Sequence, residues 1–187
     1  MKKFELTNEF ITNMFGTKLF RIRALVEFGD VEAGELGGYV EKESNLGHDD
    51  NAWVYGNARV YGDALVYDNA RVYDNAWVYG DAQVSGDALV YGNARVCGDA
   101  RVCGNGDYAY AHGFGSVNRT TTFFRLKDGG VGVRCGCFYG TLAQFRDKIR
   151  ETHGETKKAQ EYLMLADLME LRFEEDENEV GNRKYVE

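Results

Sequence analysis

The chain has 187 residues, which is room for one repeat domain and a small second one, and its formal net charge of -8 argues against sequence-independent binding to duplex nucleic acid. No apolar run approaches the ~20 residues that a membrane helix needs, so no membrane contact is expected. Four cysteines with no leader-like opening point to reduced cytosolic thiols rather than a disulfide framework, and there is no proline at all.

Residues 1–50 read as an N-terminal cap with an irregular first coil. The run from Leu19 to Phe28 is strand-like, and Gly29-Asp30 breaks it before a glycine-rich passage, Ala33-Gly-Glu-Leu-Gly-Gly-Tyr-Val40. Val40 and Leu46 stand six residues apart, and a slip of two follows. A solenoid end exposes unpaired strand edges, so a cap is required there.

From Asn51 to Gly104 nine hexapeptides follow without interruption: NAWVYG, NARVYG, DALVYD, NARVYD, NAWVYG, DAQVSG, DALVYG, NARVCG and DARVCG. Each has Ala second and Val fourth, begins with Asn or Asp, and ends with Gly or Asp. Alternation along Ala-x-Val-Tyr is the period of a half-buried strand, with Ala and Val pointing one way. The closing pair is turn chemistry, because Gly, Asn and Asp adopt positive φ cheaply. Repeated, this makes a triangular prism with 18 residues per coil, three full coils over residues 51–105, and strands stacked at roughly 4.8 Å. A hairpin meander is the competitor, but it would leave one face of four-residue strands bare; the uniform Ala-Val interior suits a closed coil.

The phrase Val-Tyr-Gly-Asn-Ala-Arg resembles the left-handed parallel β-helix of hexapeptide-repeat proteins, which implies that handedness here. It departs after Val, where that family carries a small or acidic residue and this chain has Tyr six times, Cys twice and Ser once. The segment from Phe28 to Glu41 is similar to the opening of bacterial proteins loosely labelled acyltransferases and of related phage-encoded repeat proteins, and the resemblance covers about residues 20–105. It implies either acyl transfer from coenzyme A, with a His general base beside a groove between subunits, or a phage accessory factor.

After Gly104 the pattern breaks. Residues 106–120 read as a linker. Thr121–Leu126 and Val131–Cys137 flank a Lys-Asp-Gly-Gly turn, a hairpin signal. Thr141-Leu-Ala-Gln144 reads as a capping box opening a helix with Leu142, Phe145 and Ile149 on one face, closed by Gly154. A second helix over about Thr156–Phe173 is apolar on more than one stripe, so both its own hairpin and a neighbouring subunit are expected against it. The fold expected is mainly β, with a small ββαα C-terminal domain over 121–173 and an acidic tail over 174–187; the ββαα domain also looks like phage-type reading frames, which implies a bacterial cytosol, or a host cytosol for a phage-encoded chain.

The histidines His48, His112 and His153 all lie in the flanks, and the repeat has no loop of the kind that builds a coenzyme A groove. Three His on adjacent coils, as a zinc site on this scaffold would need, are absent. Cys135 and Cys137 share a strand face, but Cys97 and Cys103 fall on different walls of the prism, so structural thiols are expected and no metal or cofactor. The corner column Asp63, Asp81 and Asp99 reads as a solvated ladder or a cation site.

Stacked at period 18, one wall presents Trp53, Arg71 and Leu89 beside Tyr55, Tyr73 and Tyr91, apolar enough to expect a homotrimer interface formed by Trp53, Tyr55, Tyr73, Leu89 and Tyr91. A second presents Arg59, Trp77 and Arg95 beside Tyr61, Tyr79 and Cys97. A third presents Leu65, Gln83 and Arg101. Arg59, Tyr61, Trp77, Tyr79 and Arg95 join cations to aromatic faces and so form the candidate site for a nucleotide-like ligand; a self-satisfied ladder or a subunit contact is the plain alternative. The function expected is non-catalytic binding, of a nucleotide-like signal or a host protein in antiviral defence, with acyl transfer and an oligomeric scaffold as alternatives.

Overall fold

The computed structural model describes residues 2–174. It opens with β1 (Phe4–Thr12), β2 (Lys18–Ala24) and β3 (Leu36–Val40). Nine short strands of the wall follow, one from each hexapeptide: β4 (Trp53–Val54), β5 (Arg59–Val60), β6 (Leu65–Val66), β7 (Arg71–Val72), β8 (Trp77–Tyr79), β9 (Gln83–Val84), β10 (Leu89–Val90), β11 (Arg95–Cys97) and β12 (Arg101–Val102). The chain closes with β13 (Tyr108–Phe114), β14 (Arg119–Arg125), β15 (Val131–Cys135), β16 (Phe138–Thr141), α1 (Leu142–His153) and α2 (Lys157–Phe173).

The wall is a parallel β-solenoid of about four turns. Its three columns are β3-β5-β8-β11, β4-β7-β10 and β6-β9-β12, and all cross-coil pairing is parallel. The earliest turn is irregular as its spacing implies: Tyr39 pairs with Arg59 and Leu46 with Val66, two residues further on than the later coils. Every Ala from Ala52 to Ala100 and every Val from Val54 to Val102 in the repeat is fully buried. Corners take positive φ at the sixth residue of every hexapeptide from Gly56 to Gly98. Where Asp replaces Gly there, Asp68 and Asp74 adopt φ of 57° and 58°, and their carboxylates accept the N–H groups of Gly86 and Gly92 one coil on, both at 3.0 Å. The short acid thus offsets its backbone strain with a hydrogen bond.

The cut ends of the prism are met by groups of opposite kind. Below, the nearly buried Lys3 ammonium donates to the carbonyls of Asp49, Asp50 and Ala52, and the Asn45 amide donates to those of Gly62 and Ala64. Above, backbone N–H groups donate to acceptors: Leu89 to Asn105 Oδ1, Arg95 to Thr122 Oγ1, and Cys103 and Gly104 to the Asp107 carboxylate. Buried backbone groups without such partners would be costly.

Residues 106–120 are not a linker. β13 runs through their middle and pairs with β14, which begins at Arg119, so the C-terminal unit is a four-stranded antiparallel sheet carrying two helices, ββββαα. Side chains of adjacent residues point to opposite faces of a strand, and β14 uses both. Phe124 closes the top of the solenoid core, while Phe123 packs under Phe145, Tyr162 and the rest of the helical layer. The capping box is present, with Thr141 Oγ1 accepting from Gln144 N and Gln144 Oε1 from Thr141 N. α2 buries one face through Ala159, Tyr162, Ala166, Met169 and Phe173; Met164, Leu168 and Leu171 stay exposed on the other. The acidic tail beyond Glu174 lies outside the described residues. No helix among those described is long and apolar enough to cross a membrane.

Candidate functional site

The solenoid register builds one continuous row across five strands. Arg21 lies opposite Tyr39, Tyr39 opposite Arg59, Arg59 opposite Trp77, and Trp77 opposite Arg95. Cations and aromatic rings therefore alternate along the second wall. The guanidinium of Arg21 sits 5.3 Å from the Tyr39 ring, and those of Arg59 and Arg95 lie 5.0 and 4.5 Å from Trp77, one from the strand on either side. Each contact contributes about 0.5–1 kcal/mol at a partly exposed site. Beside the row, Tyr61 and Tyr79 stack in parallel at 5.0 Å, with the Arg134 guanidinium of β15 over Tyr79 at 6.0 Å. Burial raises the phenols of both tyrosines and the thiol of Cys97 above their ordinary ranges.

All five expected ligand residues, Arg59, Tyr61, Trp77, Tyr79 and Arg95, thus share one wall. Their arrangement differs from a vacant platform, because guanidiniums already flank the Trp77 ring. The row is closed at its lower end, where Glu9 Oε1 accepts from Arg21 Nη1 at 3.4 Å and from the Tyr39 hydroxyl at 3.1 Å. At its upper end it opens into a groove of about 470 Å³ between β11 and the β13–β14 hairpin. Arg95, Asn93, His112, Asn118, Arg119 and Thr120 line it. The loop bearing Val117 and Asn118 holds both at positive φ, 53° and 48°, an uncommon conformation for a β-branched residue. α2 pins it, with Glu161 accepting from Gly115 N at 2.7 Å and the Tyr162 hydroxyl from Ser116 N at 3.1 Å.

The expected subunit face needs correction at Trp53. That residue is fully buried under Phe4 and Phe28, whose rings stand edge-on to it at 6.2 and 5.3 Å. The N-terminal cap folds over the wall's lower end, so Trp53 is core and cannot serve an interface. Tyr55 and Tyr73 stack at 4.5 Å, and Asp30 ties Tyr55 to Arg71. Tyr91 remains about half exposed beside Tyr108 and Tyr110, and Leu89 is half-buried.

His48 is structural. Its Nδ1 accepts from Lys3 N at 3.2 Å, its Nε2 meets Glu43 at 3.0 Å, and its ring stacks on Phe4. His153 stacks on Tyr162, and His112 alone of the three lies in the groove. Asp63 of the corner column pairs with Lys42 at 2.7 Å, and that bond holds its carboxyl below the usual range. Among the described residues no cluster of His, Cys, Asp and Glu has the arrangement of a metal site.

Sequence reasoning placed Arg59, Trp77 and Arg95 in one column but not Tyr39 and Arg21, although Tyr39 precedes the in-phase Val40 and was open to detection. Arg119 and Arg134 carry no such signal, since their positions depend on how the terminal sheet docks.

Residues 52–68, 64–80 and 82–98, all within the repeat, match the model of the YdcK beta solenoid repeat. This wall is similar to the YdcK solenoid repeats. The N-terminal hairpin and the C-terminal sheet and helices lie outside the matched stretches. No curated protein matches the chain.

Proposed function

We propose that this is a non-catalytic binding protein that holds a small anionic ligand, nucleotide-like in class, where the second wall meets the C-terminal unit. The observation that carries this reading is the groove's charge. In a chain of net charge -8, its lining brings together Arg95, Arg119 and His112 and, among the described residues, includes no Asp or Glu. A cleft lined by one sign of charge concentrates the opposite sign. The cation–aromatic row supports the same reading, because it fixes Arg95 beforehand and lowers the entropy lost when a ligand is clasped.

Native mass spectrometry of the purified full chain tests it, followed by calorimetry with whatever nucleotide or other anion copurifies. A copurifying anion that rebinds stoichiometrically is the expected result; a protein that carries nothing and binds no nucleoside phosphate overturns it. Acyl transfer from coenzyme A is the competing reading, and His112 in the groove is the observation that favours it. Thiol release from acetyl-coenzyme A, lost in His112→Ala, would establish the enzyme instead. A phage accessory role in antiviral defence rests on the sequence resemblance over residues 20–105 and assigns no further residue.

A further inference from the structure

We infer that the open upper end of the cation–aromatic row is an oxyanion site that takes a phosphate monoester by its phosphate head; this rests on the binding reading above. The row supplies its own internal comparison. At the lower end its last cation, Arg21, is closed off by the Glu9 carboxylate. At the upper end Arg95 has the same place in the pattern, yet its guanidinium lies over the Trp77 ring with no carboxylate partner among the described residues. Its backbone N–H is already taken by Thr122 Oγ1 at 2.9 Å, so the side chain is what remains for a ligand.

Arg119 faces the same groove from β14 and likewise has no carboxylate partner among the described residues. It lies against Gly136, where a Cβ would collide with its guanidinium, so the bare turn at φ 60° makes room for it. His112 Nδ1 is engaged by Thr120 Oγ1 at 3.0 Å, which leaves Nε2, without a partner among the described residues, to meet a ligand.

Two forked guanidiniums and an imidazole on opposite sides of one groove match a tetrahedral dianion better than a carboxylate, which neutralises one cation and not two. The volume of about 470 Å³ is that of a small-molecule site, so the phosphate is the head of a larger ligand. The guanidiniums flanking Trp77 displace base stacking from the recognised part. The phosphate is therefore read and the remainder of the ligand contributes less.

The test is calorimetry on the full chain at low ionic strength with four probes: inorganic phosphate, adenosine monophosphate, adenosine and acetate. Binding of phosphate and adenosine monophosphate, but not of adenosine or acetate, is expected, with affinity falling as sodium chloride is raised. Arg119 is exposed and outside the row, so Arg119→Gln should keep the parent's melting temperature and bind phosphate about tenfold or more weakly. Arg119→Lys should recover part of the loss. Adenosine binding as tightly as its monophosphate, acetate binding as tightly as phosphate, or an unchanged phosphate affinity in Arg119→Gln would each overturn the inference. If phosphate and adenosine monophosphate fail to bind while native mass spectrometry finds another retained ligand, the oxyanion site is refuted and the binding reading survives. If nothing is retained and no probe binds, both fall.

Discussion

Replacing Trp53 by Ala distinguishes a core residue from an interface residue. The indole is fully buried, held edge-on between Phe4 and Phe28, and its Cζ2 would lie 2.8 Å from a Cβ at Gly37, so β3 passes directly against it. Truncating a buried aromatic to Ala costs about 3–5 kcal/mol, and two edge-to-face pairs place this one toward the upper part of that range. The offset is small: Nε1 is buried without a partner among the described residues, so its removal relieves an unsatisfied donor. At about 2–4 °C per kcal/mol for a chain of this size, the melting temperature should drop by about 6–20 °C. Trp53→Phe keeps most of the contact, discards the orphan N–H, and should lose far less. Urea denaturation of both variants measures the stability, and sedimentation velocity records their mass. If Trp53→Ala melts within about 2 °C of the parent and alters only its mass, the core assignment is refuted and the residue belongs to a subunit contact.

Val78→Asp places a carboxylate in the middle of the fully dry interior; it loses about 1.5–3 kcal/mol of apolar burial and adds several more for an unpaired buried charge, so the chain should fail to fold, as far-UV circular dichroism would show, whereas parent-like melting would mean the inward assignment is mistaken. Alkaline pH should act in two senses. Burial lowers the Lys3 amine to about 8, below its unfolded value of 10.5, so the unfolded state binds more protons and stability rises as pH climbs through that window. Tyr55, Tyr79 and Tyr108 are raised by burial above the ordinary phenol value of 10.0, so their contribution is complete below pH 10 and is lost as pH rises beyond it. Urea midpoints measured at successive pH values should therefore climb from about pH 8 and fall past 10, with the climb absent in Lys3→Met; a parent curve flat across the whole range would contradict both burials.

Periodicity alone determined the wall: the Ala and Val of each hexapeptide, the corner turns, the coil length and the irregular start at Val40 and Leu46 are all written as spacing, because a solenoid buries each repeat only against its neighbours 18 residues away. Local chemistry likewise determined α1, through Thr141, Gln144 and Gly154. The rest depended on contacts between segments with no fixed spacing. Trp53 looks outward by its place in the hexapeptide, yet the N-terminal segment folds over it and makes it core. β13 offers little apolar alternation, and its strand character comes from pairing with β14. The candidate site shows the same division. The column Arg59, Trp77 and Arg95 follows from period 18, whereas the closing of one end by Glu9 and the meeting of Arg95 with Arg119 and His112 at the other are decided by docking of the two caps, since charges on separate segments acquire a common field only when tertiary packing brings them together.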